Sequence, residues 1–171
     1  CGTMSVGKTT LVNALKELDQ FKDYKFATER SQHLMSLGIP LNTDSTLKGQ
    51  TVFLAERCGE LMHDSIITDR TILDVMAFTI NAKSIPHQDK EAFEIYASEF
   101  IREYDYIFYI SPHGIEIEDN GIRETDEHYR DLIDFTITTL IKRHGHKAGK
   151  INKISGSTEE RILQILHFLQ S

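Results

Sequence analysis

A glycine-rich segment that runs directly into helix-forming residues constrains the fold of this chain most. Residues 2–9, GTMSVGKT, match the pattern G-x-x-x-x-G-K-[ST] without deviation. Glycines permit the backbone angles that turn successive N–H groups inward, and a helix beginning near Gly7 adds the positive end of its dipole. Leu11, Leu15 and Leu18 then repeat at helical spacing. The segment therefore predicts an anion-binding loop that follows a strand and precedes a helix ending near residue 20.

Two side chains of this loop have the chemistry that a nucleoside triphosphate requires. The Lys8 ammonium can bridge β- and γ-phosphates, and the Thr9 hydroxyl can be a ligand of Mg²⁺. A glycine turn that merely caps a helix does not explain the lysine and the threonine together. We expect the nucleotide to be bound by Gly2, Thr3, Met4, Ser5, Val6, Gly7, Lys8, Thr9 and Thr10.

Strand-like and helix-like segments alternate through all 171 residues. The strongest strand is YDYIFYIS, an aromatic and β-branched run typical of a central parallel strand that is covered on both faces. This order predicts an α/β fold with right-handed crossovers, in which helices cover both faces of a parallel sheet. We expect one domain over residues 1–171, with its ligand site at the carboxyl ends of the strands. The predicted strands cover residues 24–27, 65–70, 104–111 and 150–155.

Composition excludes several classes of protein. A net charge of -7 argues against a protein whose main role is non-specific binding of nucleic acid backbones. Residues 142–147 form a basic cluster that could be a local binding site, but they also fit a solvated helix end. No apolar run approaches membrane-spanning length, so we expect no membrane partner. The two cysteines, Cys1 and Cys58, lack metal-ligand spacing. We therefore expect a reduced, cytoplasmic location.

Charged residues close two of the predicted strands. Asp69 can hold Mg²⁺ through water or accept a proton from an attacking hydroxyl, and Arg70 can grip a substrate or the transferring phosphoryl group. Glu29 is a candidate general base, and Arg30 a candidate substrate ligand. The alternatives are a surface ion pair at 69–70 and a helix N-terminal charge at 29. For Asp74, helix capping, ion pairing and substrate binding all stay open.

A polar loop after the predicted strand at 104–111, together with the start of the helix that follows it, carries two further arginines. Arg123 lies on the loop and Arg130 about one turn into the helix. A lid around residues 112–130 can move both guanidinium groups onto the phosphates as the site closes, and there stabilise developing charge. Solvated arginines beside acidic residues are the alternative.

These segments together resemble P-loop kinases of the type found in the ribosylnicotinamide kinase domain of the bacterial NAD regulator NadR, a family with many phage ATP-binding proteins. The resemblance rests on GTMSVGKTTL, TERSQHL, IITDRTILDVMAF, NGIRETDEHYR and ISGSTEERILQIL. In this chain Arg30 directly follows Glu29, whereas the family often spaces the two. The resemblance implies a three-layer P-loop NTPase fold with sheet order 2-3-1-4-5, whose first strand we expect to be largely missing from the sequence.

The resemblance also implies ATP and Mg²⁺ as cofactors and phosphoryl transfer to a hydroxyl of a nucleoside-like small acceptor. Lys8, Glu29, Asp69, Arg70, Arg123 and Arg130 are then the catalytic candidates; Glu29, Arg30, Asp69 and Arg70 bind the acceptor, and Thr9 and Asp69 hold the metal. Residues 36–46 and the helices between 71 and 104 are expected to shape the acceptor pocket. Two alternatives remain: a kinase acting on a hydroxyl in DNA or RNA, including modified phage DNA, and a nucleotide-dependent switch without an acceptor.

Overall fold

Parallel strands alternate with helices in the computed structural model, which describes residues 1–28, 31–115 and 127–170, the side chain of residue 32 excepted. Within these residues the strands are β1 (Lys25–Ala27), β2 (Ile66–Thr68), β3 (Tyr106–Ile110) and β4 (Lys150–Ile154). The helices are α1 (Lys8–Lys16), α2 (Ser31–Ser36), α3 (Leu47–Glu60), α4 (Ile72–Asn81), α5 (His87–Ser98), α6 (Glu127–His144) and α7 (Thr158–Gln170). Short 3₁₀ turns cover Asp19–Phe21, Asn42–Asp44, Glu99–Glu103 and Gly145–Lys147.

The strands form two parallel pairs. β1 lies beside β2, with Lys25 opposite Ile66, and β3 lies beside β4, with Tyr106 opposite Lys150. Parallel pairing requires crossover connections, and the helices between the strands supply them. The fold is therefore α/β, as predicted, whereas the order 2-3-1-4-5 of a single sheet stays a prediction.

A cavity of about 400 Å³ lies between β2 and β3 and is lined by both strands and by α1 and α7. Next to it, the backbone of Cys1 pairs with β3: its amino group donates to the Phe108 carbonyl at 2.7 Å, and its carbonyl accepts from Ile110 N at 3.0 Å. This pairing places the start of the glycine-rich loop at the carboxyl end of β3.

Alternate residues of β3 pack into opposite halves of the core. Ile107 and Tyr109 join the cluster formed with α3, α4, α5 and α6, whereas Phe108 and Ile110 pack against α1 and α7. Successive side chains of a strand point to opposite faces, so both faces of this strand are covered. The pair β3–β4 therefore lies between two layers of helices, which explains why β3 is almost continuously apolar.

The first helix is shorter than its apolar spacing predicts. α1 ends at Lys16 rather than near residue 20, and the turn at Asp19–Phe21 follows it. This turn buries Phe21, 4% exposed, in the same core cluster as Leu11 and Leu15. The Thr46 hydroxyl caps the N-terminus of α3 by accepting from Gly49 N at 3.1 Å. No helix in the described ranges has the length and apolar character to cross a membrane.

Candidate active site

The glycine-rich loop has the backbone of an anion cradle. Gly2, Ser5 and Gly7 have φ values of 151°, 58° and 79°, and α1 begins at the residue after Gly7. A Cβ atom on Gly2 would lie 2.6 Å from the carbonyl oxygen of Ile110, so only glycine fits against the end of β3. α1 begins at Lys8, directly after Gly7, so the N–H groups of its first turn lie next to the loop, where a phosphate can be bound.

Two of the expected nucleotide-binding residues bury their side chains in the core. Met4, 4% exposed, belongs to the larger cluster, and Val6, 1% exposed, to the smaller one. These two side chains anchor the loop on both sides of the sheet, and only their backbone groups are available to a ligand. Thr10, also expected to bind nucleotide, is exposed in the first turn of α1.

The Lys8 ammonium lies inside the curve of the loop. It donates to the carbonyl oxygens of Gly2 at 2.7 Å and Thr3 at 2.6 Å. A cation held at this place makes the loop electropositive. This is the charge that a polyphosphate chain requires.

Thr9 and Asp69 meet across the site. The Thr9 hydroxyl donates to Oδ2 of Asp69 at 2.6 Å, although the residues are 60 positions apart. Asp69 is 3% exposed, and its Oδ1 atom is buried with no hydrogen-bond partner among the described residues. An unpaired buried carboxylate oxygen is costly unless a ligand satisfies it.

These two side chains fit a magnesium site. A hydroxyl and a carboxylate are hard oxygen donors, and Mg²⁺ usually takes one or two protein ligands and completes its shell with phosphate and water. In the described part of the chain, no group of three or more His, Cys, Asp or Glu side chains is placed to hold a metal ion. The residues present therefore fit Mg²⁺ bound together with a nucleotide.

Asp74 is a site residue whose role the sequence left open. It is fully buried, and its Oδ1 accepts from the loop amide Gly2 N at 2.9 Å. Its Oδ2 accepts from the Thr71 amide at 2.7 Å and the Thr71 hydroxyl at 2.8 Å, forming the capping box of α4. Burial opposes ionisation of this carboxyl, but the surrounding positive charges, Lys8 and Arg70 among them, hold its pKa below the ordinary value.

Arg161 is a second residue that sequence reasoning missed. Its Nη1 atom donates to the Val6 carbonyl at 2.8 Å across 155 positions, and the side chain packs over Gly7. The residue is 8% exposed, and burial lowers the pKa of its guanidinium. Arg161 thereby fixes α7 to the outer side of the loop. No local pattern indicates this contact, since an arginine in a first helical turn is ordinary.

A small cavity lies next to Arg70, the residue after Asp69. Its volume is about 40 Å³, and the Arg70 guanidinium lies 5.0 Å from the centre of the Phe78 ring, which also lines it. Gln50 is 3% exposed, and its side-chain amide forms no hydrogen bond in the part of the chain that the structure describes. The Ser45 hydroxyl is likewise buried without a partner among the described residues. The cavity therefore combines aromatic surface with the polar side chains of Gln50 and Ser45.

The family of the chain follows from its sequence match. A family model described as an AAA domain matches residues 1–161. The chain belongs to this AAA-domain family. The match covers the loop, all four strands and the start of α7, so it includes each element of the site described above.

Two solved structures share the fold of this AAA domain along nearly the whole chain. Both are deoxyadenosine kinase from M. mycoides, one with the products dCMP and a flexible dCDP bound and one with dCTP bound. They are 15% and 17% identical to this chain, with TM-scores of 0.68 and 0.67, and each match covers 99% of this chain and 96% of the other. At such identity the likeness shows the fold alone. No curated protein matches the sequence.

The predicted arginines of the AAA domain are only partly described. Arg130 is 9% exposed, donates through Nη1 to the Ile115 carbonyl at 2.7 Å, and accepts at its own carbonyl from the Thr3 hydroxyl at 3.2 Å. The start of α6 is therefore in contact with the loop. Glu29, Arg30 and Arg123, and residues 116–126 of the expected lid, lie outside the described residues.

The basic segment 142–147 of the AAA domain is bonded to acids of α5. Arg143 and His144 both contact Glu94, at 2.6 and 2.8 Å. Lys147 lies 2.9 Å from the carboxylate of Glu99, the residue after α5. Paired charges of this kind give little attraction for a phosphate backbone. The contacts favour the helix-end interpretation of the segment.

Proposed function

We propose that this AAA domain is an ATP-dependent kinase that transfers the γ-phosphate to a hydroxyl of a nucleoside, nucleotide or similar small acceptor. The contact between Thr9 and Asp69 carries the proposal, because it joins the phosphate loop to a strand-end carboxylate with an unsatisfied buried oxygen. The likeness in fold to a deoxyadenosine kinase supports the same class of reaction.

The donor side of the reaction is assigned to the loop. The loop backbone and the start of α1 bind the phosphates, and the Lys8 ammonium offsets the negative charge on oxygens of the β- and γ-phosphates. Kinase catalysis consists mostly of positioning and charge stabilisation, because the protein forms no covalent bond to the phosphoryl group. A loop anchored in the core on both sides is suited to that task.

Asp69 and Thr9 are assigned to the metal. Mg²⁺ bound here supplies positive charge that offsets the charge of the phosphates. Thr9 would hold the ion through its hydroxyl oxygen and Asp69 would hold it through water, since its Oδ1 has no partner among the described residues. Since the other oxygen of Asp69 is bonded to Thr9, we assign the general base to Glu29, which the sequence places at the end of the neighbouring strand.

The acceptor side is assigned to the small cavity beside Arg70. The Gln50 amide can pair with the edge of a nucleobase, and Phe78 offers a ring on which a planar group can stack. A volume of about 40 Å³ holds only a few water molecules, so a nucleoside requires residues 31–46 to move outward. Arg30 binds the acceptor in this proposal, and Arg70, Arg123 and Arg130 neutralise charge in the transition state.

The acceptor itself is best sought among free nucleosides. The resemblance to NadR and to phage proteins makes ribosylnicotinamide and hydroxyls of modified DNA specific candidates. The ion pairs of residues 142–147 argue against DNA, because this basic cluster was one of the two supports for that alternative, beside the resemblance to phage proteins. The small cavity, with the Gln50 amide and the Ser45 hydroxyl in its lining, favours an acceptor over a switch without one.

A transfer assay with radiolabelled γ-phosphate of ATP tests the proposal. The acceptors are ribosylnicotinamide, the deoxynucleosides, their monophosphates and an oligonucleotide containing a hydroxymethylated base. We expect magnesium-dependent transfer to one or more free nucleosides or nucleotides. Transfer to the oligonucleotide alone would favour the DNA kinase, and ATP binding without any transfer would favour the switch.

Two lysines of α1 give a matched pair of variants. Lys8→Ala removes the charge inside the loop, and we expect it to abolish transfer while the protein stays folded. Lys16→Ala removes an exposed lysine from the last turn of the same helix and is expected to leave transfer unchanged. Wild-type turnover by Lys8→Ala would overturn the assignment of the loop.

A further inference from the structure

A single buried carboxylate connects the phosphate loop to the segment that carries Asp69. Asp74 has one oxygen bonded to the loop amide of Gly2, at 2.9 Å, and the other bonded to the amide and hydroxyl of Thr71. Thr71 lies two residues after Asp69 and caps α4. The two oxygens of Asp74 therefore serve two different parts of the site.

Asp74 is too deeply buried to touch a substrate, since its exposed fraction is 0%. It lies on α4, whose residues 72–79 are all buried, so its carboxylate is held by one of the most enclosed helices of the molecule. On the other side of the bond, Gly2 is packed against the Ile110 carbonyl and cannot carry a side chain. The bond thus joins two rigid parts.

We propose that Asp74 is a positioning residue, which fixes the first amide of the phosphate loop relative to Asp69 and thereby keeps the loop in its nucleotide-binding shape. The inference rests on the proposed function, because it assigns the second anchor of the same nucleotide site. The bond between Asp74 and Gly2, rather than the cap on α4, then sustains the affinity for nucleotide.

Helix capping alone does not account for the geometry. The cap needs only Oδ2, which accepts from both donors of Thr71. Oδ1 instead accepts from the amide of Gly2, a residue 72 positions away. Three donors converge on Asp74, and only an ionised carboxylate accepts from all of them; an asparagine would turn its NH₂ group toward a donor. A loop amide that lost this acceptor would be buried without a partner.

Calorimetric titration with Mg·ADP tests the inference on three variants. Asp74→Asn leaves one donor unsatisfied. Asp74→Glu keeps the usual capping-box residue at this position, while its longer side chain displaces the oxygen that accepts from Gly2. Thr71→Val is the matched control, because it removes the capping hydroxyl but leaves the bond between Asp74 and Gly2. Urea unfolding of each variant measures its loss of stability.

We expect Asp74→Asn and Asp74→Glu to weaken Mg·ADP binding by about tenfold or more, the equivalent of one hydrogen bond to a charged group. Thr71→Val is expected to be destabilised and yet to bind within about twofold of wild type. In turnover assays both Asp74 variants should raise KM for ATP more than they lower kcat.

The outcomes separate this inference from the proposed function. Failure of the wild-type protein to bind Mg·ADP would overturn both. Wild-type binding together with unchanged affinity in a folded Asp74 variant would overturn the positioning role alone. Equal loss of affinity in Thr71→Val and in the Asp74 variants would also overturn it, because general loss of stability would then explain the effect. The Asp74→Glu variant keeps the test valid should Asp74→Asn fail to fold.

Discussion

The Thr9 hydroxyl donates to Oδ2 of Asp69 at 2.6 Å, and so connects the first turn of α1 to the end of β2. This contact leaves the other oxygen of Asp69 buried and unpaired among the described residues. A carboxylate in this state favours a bound cation, so under the proposed function the response to magnesium should depend on the charge of Asp69.

Asp69→Asn should therefore change the response to magnesium. The asparagine oxygen can still accept from Thr9, but the negative charge is lost. We expect turnover to fall about 10²-fold or more and the half-saturating Mg²⁺ concentration to rise. Initial rates across a magnesium titration measure both. Asp64→Asn, at an exposed position just before β2, is the control and should behave as wild type; an unaltered magnesium response in Asp69→Asn would contradict the metal assignment.

The close packing of Gly2 against β3 gives a prediction about stability. In Gly2→Ala the new Cβ would lie 2.6 Å from the Ile110 carbonyl, at a φ of 151° that L-residues rarely adopt. We expect a loss of about 2 kcal/mol or more in the free energy of unfolding, together with loss of nucleotide binding. Urea denaturation and ADP titration measure the two effects.

Gly59→Ala is the matched control for this substitution. No atom lies within 4 Å of a Cβ built on Gly59, and the residue is exposed in α3. Alanine is favoured over glycine in a helix, so the variant should be as stable as wild type or up to about 1 kcal/mol more stable. Equal behaviour of the two variants would show that the loop accommodates a side chain at Gly2.

Local patterns of the sequence predict most of the fold. The apolar spacing of Leu11 and Leu15 indicates α1, and the run YDYIFYIS indicates β3, because both patterns repeat with the period of their element. The rule that ligands bind at the carboxyl ends of parallel strands places Asp69 near the loop. Its contact with Thr9 agrees with that placement, whereas its role in catalysis stays a prediction.

Contacts between distant segments are what local patterns do not predict. Asp74 reaches Gly2 across 72 positions, and Arg161 reaches Val6 across 155. An aspartate in a first helical turn has a sufficient local explanation as a cap, so its second bond has no signal of its own. The motif also does not tell which of its variable positions, such as Met4, point into the core. Those contacts depend on how α4 and α7 pack on the loop.

Because the buried amide of Gln50 lines the proposed acceptor cavity, its loss should weaken binding of the acceptor and not of ATP. Gln50→Leu keeps the size and burial of the side chain but removes its hydrogen-bonding groups. We expect KM for the nucleoside to rise about tenfold or more, with KM for ATP unchanged. Steady-state kinetics with each substrate varied in turn measure this difference. Lys48→Gln, exposed on the same helix, should change neither constant; a rise in KM for ATP in Gln50→Leu would contradict the assignment of the cavity.

The ion pairs between α5 and α6 predict a pH-dependent contribution to stability. Burial favours the neutral form of Glu94, but hydrogen bonds from His144 and Arg143 outweigh it and hold the pKa of the carboxyl below 4.5. Because the folded pKa is lower than the unfolded one, Glu94 stabilises the protein above about pH 4.5 and loses this contribution as the pH falls through its folded pKa.

Glu94→Gln should therefore cost stability at pH 7 and progressively less below pH 4.5. We expect about 1 kcal/mol at neutral pH, a modest value because Arg143 is 58% exposed and water screens its charge. Urea unfolding of wild type and variant between pH 3.5 and 7 measures the difference. Glu91→Gln, on the same helix with a side chain 64% exposed, is the control and should show almost no difference at any pH. A cost for Glu94→Gln that stays constant down to pH 3.5 would mean that packing, rather than charge, accounts for the effect.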